Sequence, residues 1–555
     1  MIIDRRRFLG AMASAGFGAV GAGCTDAAPQ TAGMDGGRDG SAGGTDAGAT
    51  TDATTANVTD GGTVRARVVI IGTGFGGAVT ALRLAQAGIP SVMLERGRRW
   101  TLTSANNTFA RLLAPDGRSA WFESTTNLPF GPTFRIPRYA GVLERVRGNG
   151  IDLYAGAGVG GGSLVYGGMV VTPRESAFTR VYPSAIPYAE MRDVYYPRAA
   201  AMLRTTTIPD DVIANPAYDA ERVFRAHAAA AHVEATSVGV AADWEVVRRE
   251  IAGTAPPSTL IGECIVGNSN GSKLSLDRTY LAAAEATGMT TIAPLHRVRD
   301  VAVDGSGGYL VFVDRIDEDG TVLETKTYAC EYLFMAAGTY GTTNLLVKAR
   351  AKGLMPRLDE HVGQGFGNNG NAMFMRWGLT ETTGPRQASF AGQAMVDFDN
   401  PVAPALVEHA QFPTGIEGHC LLQLGMALDI GRGSFRYDPA ADRSVVDWPD
   451  GANATPVAAM QNLADRLNNA SGGTLRGSSL GIEINGILGG FTYHPLGGMV
   501  LGEACDYHGR VNGHPKLYVV DSALLPRSAG GVNPALTVTA LAERCVEDIL
   551  AHDFR

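Results

Sequence analysis

The sequence predicts an α/β protein in which at least two domains share one large core. Three observations carry that expectation. A strand, a glycine loop, a helix and a second strand follow one another near residue 70. A second glycine-dense loop lies near residue 160. A buried-strand pattern followed by a long helical pattern closes the chain. The length of 555 residues exceeds one typical domain. A hydrophobic fraction of 45% and a charged fraction of 18% suit a globular protein with a sizeable core. A formal net charge of −8 argues against a nucleic-acid partner and against attraction to anionic lipid. No stretch has the roughly 18 consecutive apolar residues of a spanning helix.

Val64–Ile71 ends in a continuous apolar run, as a buried parallel strand does. Gly72-Thr73-Gly74-Phe75-Gly76-Gly77 follows at once. Ala78–Ala87 has helical spacing and stops at Gly88, a natural C-cap. A second strand, Pro90–Glu95, ends in an acid. Each part has a task in a Rossmann-type unit. Gly72 permits the tight turn, Gly74 lets the backbone meet a pyrophosphate, and Gly77 lets helix and strand pack closely. The helix N-terminus offers free N–H groups and a positive dipole end to phosphates. Glu95 can accept hydrogen bonds from adenosine ribose hydroxyls and disfavours the extra phosphate of NADP. A structural glycine turn would not need strand, helix, second strand and acid in this order. The unit alone does not separate FAD from NAD.

The other two features do. Gly156–Met169 is too rich in glycine to pack a core by side chains, which suits close backbone approach to a flat ring or to phosphates. Lys516–Ser522 reads as another buried strand. Asn533 then suits a helix cap, Pro534 the first helical position, and Ala535–Leu550 a helix. A reduced flavin carries negative charge on its pyrimidine ring, and a helix N-terminus placed there would stabilise it. These features favour FAD and disfavour an NAD-linked dehydrogenase.

Cys24, Cys264, Cys330, Cys420, Cys505 and Cys545 form no CxxC pair, so no metal site is expected. Most read as buried small hydrophobes, and spacing does not pair them. Arg5-Arg6-Arg7-Phe8-Leu9 reads as a twin-arginine export signal within residues 1–24. Cys24 fits either a lipoprotein cysteine or a segment cleaved nearby or retained. Residues 25–62 are Gly, Ala, Thr and Asp with almost no large apolar residue, which predicts a flexible linker.

Eight segments together carry a resemblance: GTGFGGAVTALRLAQAG, YAGVLERV, GVGGGSLVYGGM, SLDRTYLAAA, YLFMAAGTYGTTNLLVKAR, GFGNNGN, YHPLGGMVLG and GVNPALTVTALAER. In this order they resemble the cholesterol oxidases of the glucose–methanol–choline (GMC) oxidoreductase superfamily, of the type with non-covalent FAD. The resemblance runs from Val64 to the C-terminus. It implies an FAD domain assembled from about 64–104, 145–185, 285–350 and 490–555. It implies an α+β substrate domain with a six-stranded sheet from about 105–144, 186–284 and 351–489. Asn106–Thr125, with Trp121, resembles the active-site lid.

The resemblance assigns His494 to the substrate hydroxyl, Asn533 to the flavin pyrimidine ring and Glu408 to proton movement on a steroid. For FAD it gives Phe75, Gly76, Glu95, Gly162, Gly167, Met169, Val298, Ser522 and Ala535, beside Gly72, Gly74 and Gly77 of the fingerprint. Tyr166 stands where the family has Asn, Leu406 where it has Phe two positions before the glutamate, and Ala535 where it has Phe. Ser478–Gly490 also diverges. His409 reads as a bystander. His296, His419, His508 and His514 have no motif and read as structural or exposed.

The implied activity is oxidation of a 3β-hydroxysteroid such as cholesterol, with oxygen giving hydrogen peroxide and with Δ5 to Δ4 isomerisation. The expected partners are the sterol, oxygen, the twin-arginine export machinery and peripheral contact with a sterol-containing membrane, for an exported monomer. Two alternatives stay open. One is an FAD dehydrogenase of the same fold acting on another bulky alcohol with a non-oxygen acceptor. The other is a catalytically silent sterol-binding lipoprotein.

Overall fold

The computed structural model describes residues 57–59, 62–126, 128, 133–411, 415–429, 431–475 and 487–554. The export signal and Cys24 lie outside the described residues, as do residues 478–486 of the divergent segment. Within the stretch read as linker, Asn57–Thr59 forms a short strand antiparallel to Thr63–Arg65. Gly62, at φ 75°, supplies the turn between them.

Strand β1 (Thr63–Ile71) leads into helix α1 (Phe75–Gln86) and strand β2 (Ser91–Leu94). Strands β3 (Thr290–Ala293), β4 (His296–Val303), β5 (Tyr309–Ile316) and β6 (Val322–Met335) complete one sheet in the order β4-β5-β6-β1-β2-β3. β6, β1, β2 and β3 run parallel, while β4, β5 and the first part of β6 form an antiparallel meander. Leu517–Val519 adds to the C-terminal end of β6 in parallel. The apolar run read as a buried strand is one, because Val68, Val69 and Ile70 are fully buried. α1 crosses β1 and packs against the C-terminal helix.

A second, antiparallel sheet roofs the cavity. Helix α2 (Asp219–Ala230) precedes strands β7 (Asn371–Trp377), β8 (Gln393–Asp397), β9 (Ala405–Ala410) and β10 (Cys420–Ala427), and helix α3 (Ala454–Ser471) follows. The central order is β7-β10-β9-β8, with Glu234–Ser237 beyond β8. Thr474–Leu475 and Ile487–Leu488 both pair with β7, one beyond the other along its edge. Among the described residues the roof therefore has seven strands, two of them sharing one edge of β7, where the resemblance implies six. Side chains alternate across it. Val407 on β9 packs in the cluster that includes Phe224 of α2 and Met460 and Leu463 of α3. Glu408, the next residue, faces the other way and is paired across from Leu424 and Ala394.

Helix α4 (Pro534–Asp553) closes the fold and packs against α1. Among the described residues, no helix is long and apolar enough to cross a membrane, and no His/Cys/Asp/Glu cluster could hold a metal. Cys264, Cys330, Cys420, Cys505 and Cys545 are all buried and unbridged.

Candidate active site

A cavity of about 510 Å³ runs between the two sheets, from Glu95 and Val298 past both glycine loops to His494, Glu408 and Asn533. At the first end, Glu95 is buried behind the opening glycine loop. Its Oε2 accepts from Thr73 N at 3.2 Å and Thr73 Oγ1 at 2.7 Å, and its Oε1 from Gly97 N at 2.9 Å. Burial pushes the Glu95 carboxyl up, against these hydrogen bonds. A carboxylate has about four acceptor positions, so one stays available to a ribose hydroxyl.

The glycines divide into two kinds. A Cβ on Gly76 would lie 1.8 Å from the Val520 carbonyl oxygen, and one on Gly77 would lie 2.3 Å from that of Gly72. Those positions are needed for assembly. A Cβ on Gly74 or Gly167 would meet nothing within 4 Å. Those positions face the open cavity. The N-terminus of α1 has no side-chain cap and no acid in its first turn, so its N–H groups stay available to an anion.

Lys273, which carried no motif, is buried beneath the second loop. Its Nζ donates to the carbonyls of Leu164 at 2.9 Å, Tyr166 at 2.9 Å and Cys264 at 2.8 Å. Burial pulls its pKa down. A trans peptide directs N–H opposite to C=O. The cation therefore polarises the Tyr166–Gly167 peptide so that its N–H faces away from Lys273, and Gly167 lines the cavity. The Tyr166 ring stands edge-on to Phe75 with centroids 5.7 Å apart. Its hydroxyl has no partner among the described residues, and burial pushes the phenol up.

At the reacting end, Asn371 Nδ2 donates to His494 Nδ1 at 2.9 Å. Thr492 Oγ1 and Tyr493 N flank Asn371 Oδ1 at 3.0 and 3.2 Å, which orients the amide with its N–H groups toward the histidine. His494 therefore carries its proton on Nε2. Burial holds its pKa down at about 4, so the ring is a neutral donor at pH 7. Asn533 Nδ2 donates to Glu408 Oε2 at 3.0 Å. Asn533 Oδ1 and Glu408 Oε1 are buried without partners among the described residues. Burial pushes Glu408 up to about 7, with the Asn533 hydrogen bond opposing and Glu221 adding to the rise.

The structure brings His494, Glu408 and Asn533 to one end of the cavity. Glu95 and Val298 lie at the other, with Gly72, Gly74, Phe75, Gly76, Gly162, Tyr166, Gly167, Met169, Ser522 and Ala535 along its length. Gly77 packs helix on strand behind the wall. Several expectations change. Asn533 precedes α4 but its side chain makes no cap bond; its Nδ2 instead donates to Glu408. Trp121 belongs to the nucleotide end: its ring lies 5.3 Å from the Arg96 guanidinium, and its backbone N–H donates to Leu143 O at 2.9 Å. His296 lines the cavity two residues before Val298 on β4, its Nδ1 donating to Pro294 O at 2.8 Å. That i, i+2 spacing from Val298 was the signal for it. His409 lies on the back of the roof, hydrogen-bonded through Nδ1 to Glu221 and through Nε2 to Gln387 Oε1 at 3.1 Å. Leu406 shares the Glu408 face but is 1% exposed and packs in the core.

These residues fit a flavin dinucleotide. The cavity has a ribose acceptor at one end, an uncapped helix N-terminus and side-chain-free loops in the middle, and orphaned buried polar atoms at the other. Residues 369–480 match the GMC oxidoreductase C-terminal family model, and residues 488–542 match a further GMC oxidoreductase model. Over these residues the chain is similar to GMC oxidoreductases, and it has the GMC fold. In sequence it is cholesterol oxidase-like. It is 28% identical to a cholesterol oxidase of Mycobacterium tuberculosis over 86% of this chain and 90% of that one.

Its fold is similar to pyridoxine 4-oxidase from Mesorbium loti, with TM-score 0.60 and 15% identity over 88% of this chain and 99% of the other. It is also similar to a mutant Aspergillus oryzae formate oxidase described for the effect of the mutation on FAD modification, with TM-score 0.57 and 14% identity over 88% and 99% of the two chains.

Proposed function

We propose that this protein oxidises a 3β-hydroxysteroid such as cholesterol to the 3-ketosteroid, with non-covalently held FAD and with oxygen as the final acceptor. The observation that carries this reading is the pairing of a neutral His494 with a near-neutral Glu408 in a cavity walled by Met373, Leu422 and Leu424. An apolar wall with few convergent polar groups suits a bulky, rigid alcohol. Bound FAD supplies the hydride acceptor. His494 Nε2–H holds the carbinol oxygen and thereby orients the C–H. Asn533 stands at the start of α4, where amide and helix N-terminus together favour negative charge. Glu408 holds or moves a proton within the cavity, and Δ5 to Δ4 isomerisation is assigned to it. Glu95 and Val298 hold the adenosine end.

The cholesterol oxidase similarity supports the sterol. The Arg5–Arg7 signal supports export by the twin-arginine route, as a monomer released or lipid-anchored through Cys24 and meeting sterol at a membrane surface.

Anaerobic mixing of purified protein with cholesterol, followed by flavin absorbance, tests the reading. Bleaching, then peroxide on admitting air, is the expected result. Bleaching without peroxide assigns a different acceptor, and sterol binding without bleaching assigns a silent binder. Unchanged conversion of 5-cholesten-3-one by Glu408→Gln removes the isomerase role.

A further inference from the structure

Phe390 adopts φ 64°, a left-handed conformation that costs a bulky residue conformational energy and that glycine or asparagine adopts more readily. The residue is 1% exposed and lines the cavity. The backbone on either side is clamped. Ala388 N donates to Ala217 O at 2.9 Å, Ser389 N to Thr259 O at 2.9 Å, and Val238 N to Gly392 O at 3.0 Å. Ser389 Oγ donates to Glu263 O at 3.0 Å. The ring reaches the second glycine loop. A Cβ built on Gly168 would lie 3.4 Å from Phe390 Cδ1, and Gly168 is itself at φ 80°. The loop has no side chain here, so the aromatic ring fills the space from behind together with Val240, whose Cγ1 lies 3.3 Å from the same point.

We propose that Phe390 is a positioning residue for the flavin: its ring buttresses Gly167–Met169 against the cofactor, and the fold tolerates the strained backbone for that contact. The hypothesis rests on the reversible FAD binding proposed above. The test uses holoenzyme of Phe390→Leu, Phe390→Val, Phe390→Ala and Phe390→Gly. FAD release on dilution is read by recovery of flavin fluorescence, the flavin visible spectrum is recorded, and unfolding is followed by tryptophan fluorescence in excess FAD.

Release should quicken as the side chain shrinks, within threefold of wild type for Leu and at least tenfold faster for Ala and Gly, with a shifted flavin spectrum. Phe390→Gly should nevertheless unfold at or above the temperature of Phe390→Ala, because glycine relieves the strain. Wild-type release and spectrum in Phe390→Ala would overturn the buttress, as would Leu as leaky as Ala. Unfolding of Gly below Ala would overturn the strain. If Ala and Gly fail to fold, Val against Leu decides: release no faster in Val overturns the proposal. Flavin that stays on the chain after acid denaturation would break the reversible-binding reading instead, and the spectra of the same variants then decide.

Discussion

The two walls of the cavity are made from different materials. The nucleotide wall is mostly backbone. Gly74, Gly162 and Gly167 offer peptide groups, α1 offers its uncapped N-terminus, and one carboxylate, Glu95, ties the loop together. The roof is mostly side chain. Met373, Leu422, Leu424 and Glu408 project from three neighbouring strands, and His494 and Asn533 reach in beneath them. Backbone recognition needs room and close approach, so it tolerates few changes to glycine. Side-chain recognition needs a surface of the right shape and charge, which many sequences can supply. The first wall should therefore fail through assembly or cofactor loss, and the second through chemistry.

The largest effect expected is at Gly76. Its Cβ would meet the Val520 carbonyl, a backbone atom that cannot rotate away, so Gly76→Ala should yield no folded, flavin-containing protein. Gly74→Ala, with open space at the same distance, should fold with wild-type circular dichroism and lose only FAD affinity. A yellow, soluble Gly76→Ala protein would break the division between the two kinds of glycine.

Next in size is His494→Ala. Flavin reduction by the alcohol should slow by about 10²–10⁴-fold, while FAD content and melting temperature stay at wild-type values. Anaerobic stopped-flow absorbance gives the rate. Loss of FAD along with rate would place His494 in the cofactor wall instead.

Glu408 sharpens the contrast through pH. Its carboxyl stays protonated in the fold up to about 7 but ionises near 4.5 in the unfolded chain. The folded state then binds the extra proton between those values, so wild-type stability falls as pH rises through that window and levels off above about 7. Glu408→Gln has no such titration. Its stability advantage over wild type should grow by roughly 3 kcal/mol from pH 4.5 to pH 8. Urea unfolding at the two pH values checks this, and a constant difference between the proteins would mean that Glu408 is already ionised in the fold.

The smallest effect belongs to Tyr166→Phe. The hydroxyl has no partner among the described residues, so its removal should change stability by less than about 0.5 kcal/mol. A larger loss measured by thermal unfolding of the holoenzyme would mean that the phenol holds the cofactor.

The nucleotide wall was largely legible in the sequence, because its parts are local. Gly72–Gly77 and Glu95 lie within one strand–helix–strand unit, and covalent order alone brings them together. The roof was legible only through resemblance. Glu408 lies 86 residues before His494 and 125 before Asn533, and no spacing rule joins them. Asn371 sat inside a quoted motif with no role until its amide was seen on His494 Nδ1. Lys273 had no signal at all, since a lone lysine reads as solvent-exposed until three carbonyls are found around its ammonium. Trp121 was drawn to the wrong end of the cavity, because only the packing of its ring on Arg96 tells the two ends apart.

What the sequence by itself determined is the set of local conformations: where glycine must permit close approach, where apolar runs must be buried, and where a helix begins. Those follow from sterics and from hydrophobic patterning over a few residues. Only the tertiary structure decided which polar atoms lose their water together. The tautomer of His494, the raised pKa of Glu408, the buried cation under the second loop and the strained ring of Phe390 all arise from burial beside particular neighbours. Desolvation depends on what surrounds a group in space, and sequence distance does not measure that.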